Sequence, residues 1–213
     1  MRLRILYALS LLCPLNSHAE PIVISDFSTQ KLNGWEQKSF KDYTQYQIVN
    51  LNKQSVLQAK SAASASSLYK EIHIDLQKTP YLNWSWRIEK KLSISDEQSK
   101  QGDDFSARIY LIIKGKWGFW QTRAINYVWA NHSPANTAWA NPFAGDSVMM
   151  VAVRSNSDNV KQWYSEKRNV LADFKNLFGE DIRFVDGLAI MTDTDNSAGN
   201  AVSYYADIYF SEK

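Results

Sequence analysis

Tyr81-Leu82-Asn83-Trp84-Ser85-Trp86-Arg87-Ile88 changes polarity at every step: Leu82, Trp84, Trp86 and Ile88 fall on one side, Tyr81, Asn83, Ser85 and Arg87 on the other. A period of two marks a strand with one face against a core. The same period recurs along the chain. Phe105, Ala107, Ile109, Leu111 and Ile113 alternate with Ser106, Arg108, Tyr110 and Ile112. Leu68, Ile72, Ile74 and Leu76 share a face interrupted by Lys70, opposite Glu71, His73 and Asp75. Near the end, Tyr204, Ala206, Ile208 and Phe210 oppose Ser203, Tyr205, Asp207 and Tyr209. Shorter apolar runs at 22–24, 46–49, 56–59, 125–130, 148–153 and 188–191 add further strands.

Turn chemistry separates these segments. Asn33-Gly34, Thr79-Pro80, the polar connection 93–102 and the glycine-containing 114–118, which reads as a hairpin, are the shorter breaks. Residues 131–145, with Pro134 and Pro142, read as a longer loop, and 155–159 and 193–200 are rich in Asn, Asp and Ser. The period fails once, where Val170, Phe174, Leu177 and Phe178 take helical spacing between Asn169 and Gly179. That pattern predicts a short helix over 169–178, capped at both ends. Many short strands and one helix predict an all-β chain, a two-layer antiparallel β-sandwich. The jelly-roll variant, with the segments 22–27 and 204–210 side by side, is the expected topology.

Arg2 and Arg4 precede an apolar run from Ile5 to Leu15, and Ser17 and Ala19 place small residues on either side of His18. That order reads as a secretory leader over 1–19, cut between Ala19 and Glu20. The run is shorter than the ~20 apolar residues a membrane span needs. A lipoprotein leader would want a small residue where Leu12 precedes Cys13. The expected product is one domain over 20–213, periplasmic or secreted. Cys13 is the only cysteine and leaves with the leader, so neither a disulfide nor a thiol nucleophile remains. A chain of this length buries about 70% of its unfolded surface and needs no such staple. Of 24 basic residues, loss of Arg2 and Arg4 leaves 22 against 22 acidic ones. A neutral product without a basic stripe argues against nucleic-acid binding, and no second apolar stretch is long enough to span a membrane. All eight tryptophans follow the leader. They fit a large β core, and they equally fit sugar binding, where a pyranose C–H face packs on a ring.

Several segments in order resemble a bacterial family catalogued as domain of unknown function 3047. They are 83–87 (Asn-Trp-Ser-Trp-Arg), 102–110 (Gly-Asp-Asp-Phe-Ser-Ala-Arg-Ile-Tyr), 126–130 (Asn-Tyr-Val-Trp-Ala), 166–170 with Asp173-Phe174, Phe178-Gly179, and 191–196 (Met-Thr-Asp-Thr-Asp-Asn). The resemblance implies an exported protein of a Gram-negative periplasm and brings no reaction with it. The layout is also similar to galactose-binding-like jelly rolls, which include many carbohydrate-binding modules; fold alone does not assign function.

Arg108 and Tyr110 share the polar face of their strand, just after Asp103-Asp104, and Arg87 lies on the polar face of its own. The arginines could bind sugar hydroxyls or a carboxylate, or form structural pairs with aspartates. Asp103, Asp104, Arg87, Arg108, Tyr110, Trp129 and Arg168 are therefore the ligand-binding candidates. Trp117, Trp120, Trp129 and Trp139 could floor a saccharide groove, unless Trp129 and Trp120 belong to the core and Trp139 caps its loop. Glu166, beside Tyr164 and Arg168, is the best carboxylate to pair with Asp104 or Asp193 for glycoside hydrolysis, which needs a separation of about 5–10 Å. Calcium takes oxygen ligands from flexible loops, so Asp193 with Asp195, and Asp26 with Asp207, are the metal candidates. Gly199 is misplaced for an EF-hand and the closing glutamate is missing. His73 and His132 are isolated, which argues against zinc, and no nucleophile elbow or phosphate-cradling glycine loop occurs. The sequence thus assigns no cofactor other than a calcium option and leaves the oligomeric state open. It points first to a binding module for a glycan or cell-envelope component, then to a saccharide hydrolase, then to an envelope assembly partner.

Overall fold

The computed structural model describes residues 19–29, 31–115 and 122–213. Residues 1–18 of the expected leader, Trp117, Trp120 and most of the glycine turn at 114–118 lie outside the described residues.

Two sheets face each other. The first runs in the order β11 (Tyr164–Asn169), β6 (Tyr81–Ile88), β13 (Asn200–Ser211), β4 (Gln54–Ala62), β3 (Gln45–Leu51), with β1 (Ile22–Val23) also pairing β13. The second runs β2 (Trp35–Lys41), β5 (Ala65–Asp75), β12 (Phe184–Met191), β7 (Arg108–Ile113), β8 (Arg123–Trp129), β10 (Gly145–Arg154), β9 (Ala138–Asn141). First and last strands are antiparallel neighbours, Ile22 opposite Phe210, as expected of a jelly roll. All pairings are antiparallel except β8 with β10.

The alternation of β6 buries Leu82, Trp84, Trp86 and Ile88 between the sheets. Trp84 and Trp86 meet edge to face at 5.3 Å, Trp86 lies 5.8 Å from Trp129, and Trp84 stacks on Tyr127 at 5.5 Å. Such pairs add ~0.5–1.5 kcal/mol each beyond area burial, so the core is cemented by rings. Helix α1 (Val170–Phe178) forms where the helical spacing placed it. Asn169 accepts the Ala172 N–H, and Gly179, at φ 70°, donates to the Lys175 carbonyl. Val170 and Phe174 are buried in the core.

Three local readings are corrected. Phe105 does not share the face of Ala107, Ile109 and Leu111: the chain bends at 106–107, and Phe105 joins Val128, Ala130, Trp139, Met150 and Ala152 on the outer side of the second sheet. Within the loop expected at 131–145, residues 138–141 form β9. In β13, Asp207 adopts φ 55° and the pairing with β6 slips between Ala206 and Tyr209. One extra residue inverts the faces of a strand, so Tyr205, Ile208 and Phe210 enter the core while Tyr204 and Ala206 face outward.

A left-handed backbone suits glycine and penalises β-branched residues. Asp207→Gly is expected to hold or raise the urea midpoint, while Asp207→Val lowers stability by about 1–2 kcal/mol. Equal midpoints for the two variants would contradict the bulge.

Candidate functional site

The outer face of the second sheet carries a groove of about 720 Å³. Its floor follows from register. Tyr69, Ala189, Tyr110, Asn126 and Met150 form one row across β5, β12, β7, β8 and β10. Glu71, Gly187, Ile112, Ala124 and Val148 form the next row in one direction, and Ser67, Met191 and Arg108 lie in the row on the other side. The two tyrosines stand two strand steps apart, about 10 Å, with only Ala189 between them. Gly187 is required here: a Cβ on it would sit 2.6 Å from Tyr69 Cε2. The tyrosine ring therefore lies over the glycine. Lys38 and Phe40 of β2 and Phe143, just beyond β9, line the groove from opposite edges of the sheet; Phe40 is 72% and Phe143 57% exposed.

One end of the groove is charged and buried. Arg108, 3% exposed, lies with its guanidinium carbon 5.2 Å from the Phe105 ring centroid and 5.6 Å from that of Tyr110. Nη2 donates to Asp193 Oδ2, and Nη1 is 3.5 Å from Asp103 Oδ1. Asp193 Oδ1 accepts the Phe105 N–H, and Asp103 Oδ2 accepts from Asn141 Nδ2 at 3.4 Å. Arg108 Nε and Asn126 Oδ1 have no hydrogen-bond partner among the described residues, while Arg108 Nη1 and Asp103 Oδ1 meet only as the 3.5 Å ion pair. A buried polar atom left unsatisfied costs ~1–3 kcal/mol.

The Asp104, Asp193 and Asp195 carboxylates approach within 4.8 Å of one another. Asp104 already accepts the backbone N–H groups of Asn196 at 3.1 Å and Ser197 at 2.6 Å, which folds the loop after β12 onto the groove end. Burial holds the Asp103 carboxyl above its usual range, against the pull of Arg108. Asp195 is raised as well, by burial and then by the neighbouring Asp104 charge.

The family model described as "Protein of unknown function (DUF3047)" matches residues 33–209. The chain belongs to this family. A search of curated proteins finds no match. Among solved structures, the chain is similar to the family 11 carbohydrate-binding module of the cellulosomal cellulase Lic26A-Cel5E of Clostridium thermocellum. Identity is 9%, 91% of this chain and 95% of the module are covered, and the TM-score is 0.51. The family 30 carbohydrate-binding module of Cel9D-Cel44B from the same organism is 12% identical, with 92% and 95% covered and a TM-score of 0.44. At 9% identity the first likeness shows the β-sandwich fold.

Of the residues singled out in the sequence, Asp103, Asp104, Arg108, Tyr110, Asp193 and Asp195 converge on the groove end. The others serve elsewhere. Arg87 is on the outer face of the opposite sheet, held by Glu89 at 2.7 Å and lying over Tyr204, so it shares no groove with Arg108. Trp129 is 2% exposed within the core, and its Nε1 donates to the Ser155 carbonyl. Arg168 forks onto Asp173 at 2.8 and 3.0 Å, bracing β11 against α1. Glu166 accepts Trp86 Nε1 at 3.0 Å and Arg154 Nε at 2.6 Å, on the edge strand of the first sheet. No contact among the described residues joins it to Asp104 or Asp193. Asp26 accepts the Ser28 N–H and hydroxyl, and Asp207 is an exposed bulge residue. Trp139 is buried against Phe105, with ring centroids 6.4 Å apart, and floors no open groove. Tyr69, Phe40, Phe143, Lys38 and Gly187 escaped the sequence reading. Tyr69 could have been found as the aromatic member of the Glu71–His73 face.

A carboxyl whose native pKa is raised favours the folded state at low pH and loses that contribution as pH rises through the native value. Asp195→Asn is therefore expected to raise the urea midpoint at pH 7 and to leave it unchanged near pH 3.5. A lower midpoint at pH 7 would mean that the charge is stabilising.

Proposed function

We propose that this is an exported glycan-binding module whose ligand lies across the second sheet. The observation that carries the reading is the row Tyr69–Ala189–Tyr110–Asn126, which ends beside the buried Arg108–Asp103–Asp193 cluster. Aromatic rings over a small-residue floor accept the C–H faces of pyranose rings, and fixed polar groups at the margin orient hydroxyls. The polar side chains that line this end, Arg108, Asp103, Asn141 and Asn196, supply both donors and acceptors, which suits the mixed character of a sugar hydroxyl. The sandwich likeness to a protein named as a carbohydrate-binding module agrees with this reading. Export rests on the leader at 1–19.

The hydrolase reading draws less support. Both Glu166 oxygens are engaged by Arg154, and Asp193 and Asp104 are consumed by Arg108 and by backbone N–H groups. Glu166 lines a recess on the first sheet and Asp193 the groove on the second, so the expected acid and base share no common space.

Isothermal titration of the purified protein against oligosaccharides chosen from a glycan array tests the proposal. Tyr69→Ala and Phe143→Ala are each expected to weaken binding about tenfold, or ~1.4 kcal/mol, with unchanged circular dichroism. Absence of retention on the array and on cell-wall fractions would sink the proposal.

A further inference from the structure

We infer that the groove takes an acidic glycan, one whose pyranose rings carry carboxylate or sulfate groups. This deepens the glycan-binding reading and rests on it. The argument starts from which charges the groove offers to solvent. Most of its acids are withdrawn or paired: Asp103 and Asp193 are buried against Arg108, Asp104 is fully buried beneath the loop that follows β12, and the exposed Glu71 is paired with Lys114. That leaves Asp195, half-buried at the groove end, as the acid without a cationic side-chain partner among the ion pairs of the described residues. Its exposed cations, by contrast, stand beside the rings. Lys38 Nζ lies 4.3 Å from the Tyr69 centroid, and Lys100 Nζ lies 5.5 Å from the Phe143 centroid. Both lysines are exposed, as is Lys114, which Glu71 holds on the far side of Tyr69. With the leader removed the chain is neutral, so this basic rim is a local arrangement rather than a consequence of overall charge.

The cation–ring contact discriminates between ligands. An ammonium over a ring gains ~0.5–1 kcal/mol at an exposed site. A neutral sugar that takes the Tyr69 face displaces Lys38 and returns nothing to it. A uronate or sulfated sugar that takes the same face brings an anion within reach of the displaced ammonium, replacing the lost contact with a charge-assisted hydrogen bond. The same exchange is available at Phe143 with Lys100. Two such pairs, entering from opposite edges of the sheet, suit an oligomer with repeated anionic groups better than a single sugar.

The test compares polygalacturonate and alginate oligomers with neutral galactan and mannan oligomers of equal length, by titration calorimetry. Acidic oligomers are expected to bind about tenfold tighter at low salt. That advantage shrinks severalfold near 0.5 M salt, because exposed charges are screened within about 10 Å or less. Lys38→Gln is expected to weaken acidic binding about fivefold and to strengthen neutral binding about twofold, since no ammonium has then to be displaced, while Tyr69→Ala weakens both. Lys167→Gln supplies the control: Lys167 lies on β11 of the other sheet, its ammonium 4.7 Å from the centroid of Tyr81 on β6, and its loss should change neither affinity. Equal affinity for acidic and neutral oligomers, lost in Tyr69→Ala, would overturn the acidic class and keep the groove. Equal loss in Lys38→Gln and Lys167→Gln would show diffuse charge attraction and overturn the site. No binding to any oligomer would overturn both readings.

Discussion

A buried guanidinium organises one end of the groove on the second sheet. Arg108 begins β7, and its partners come from two other segments: Asp193 from the loop after β12 and Asp103 from the approach to β7. Removing a charge from water is costly, and a buried pair rarely stabilises more than well-packed apolar residues would. The structure nevertheless surrounds this one with further polar contacts. Tyr205, from the opposite sheet, donates to the Met191 carbonyl at 2.8 Å and accepts the Arg108 N–H at 3.2 Å. Thr192 donates to the Ser106 carbonyl at 2.9 Å. The two layers are thus stitched by hydrogen bonds at this end and by tryptophan rings in the middle. The stitching holds the backbone of Arg108 in place between the two sheets.

The alternation of apolar residues disclosed the fold wherever a strand had one wet face and one dry face. β6, β7 and α1 follow directly from their patterns, and even the adjacency of the terminal strands was visible in the placement of two strong strand segments. The reading failed where a single residue changed the phase. Asp207 takes a left-handed conformation that its residue type tolerates and does not announce, so Tyr204 and Tyr205 exchanged faces. The bend before Arg108 misplaced Phe105 in the same way. β2 was invisible for another reason: it is an exposed edge strand with the sequence Trp-Glu-Gln-Lys-Ser-Phe-Lys, whose pairing with β5 supplies order that its composition does not.

The site was legible in half. Charged and acidic residues clustered in sequence near 103–110 and 191–195, and these two segments meet because Arg108 and Met191 are cross-strand neighbours. What could not be read was which aromatic residues face outward. Tryptophan drew attention by its abundance, yet Trp84, Trp86, Trp129 and Trp139 are all buried. The rings that line the groove are Tyr69 and Tyr110 on inner strands, Phe40 on the edge strand β2 and Phe143 in the turn beyond β9, and the seating of Tyr69 depends on a small neighbour far away in sequence. Tyr69 needs Gly187, and only register reveals that pairing.

The two outer faces of the sandwich are built differently. Along β4 and β13 the first sheet covers itself: Val56, Tyr204 and Ala206 form a small cluster with Val49, Leu51 and Trp163, and Arg87 lies over Tyr204. The second sheet does the opposite. It places Gly187, Ala189, Ala124 and Ser67 where large side chains would close the surface, and sets its rings around them. Small residues in strand interiors weaken a sheet because they bury little and pack poorly. Concentrating them on one face, with aromatic and cationic groups at the margin, sacrifices packing for a recess of defined shape.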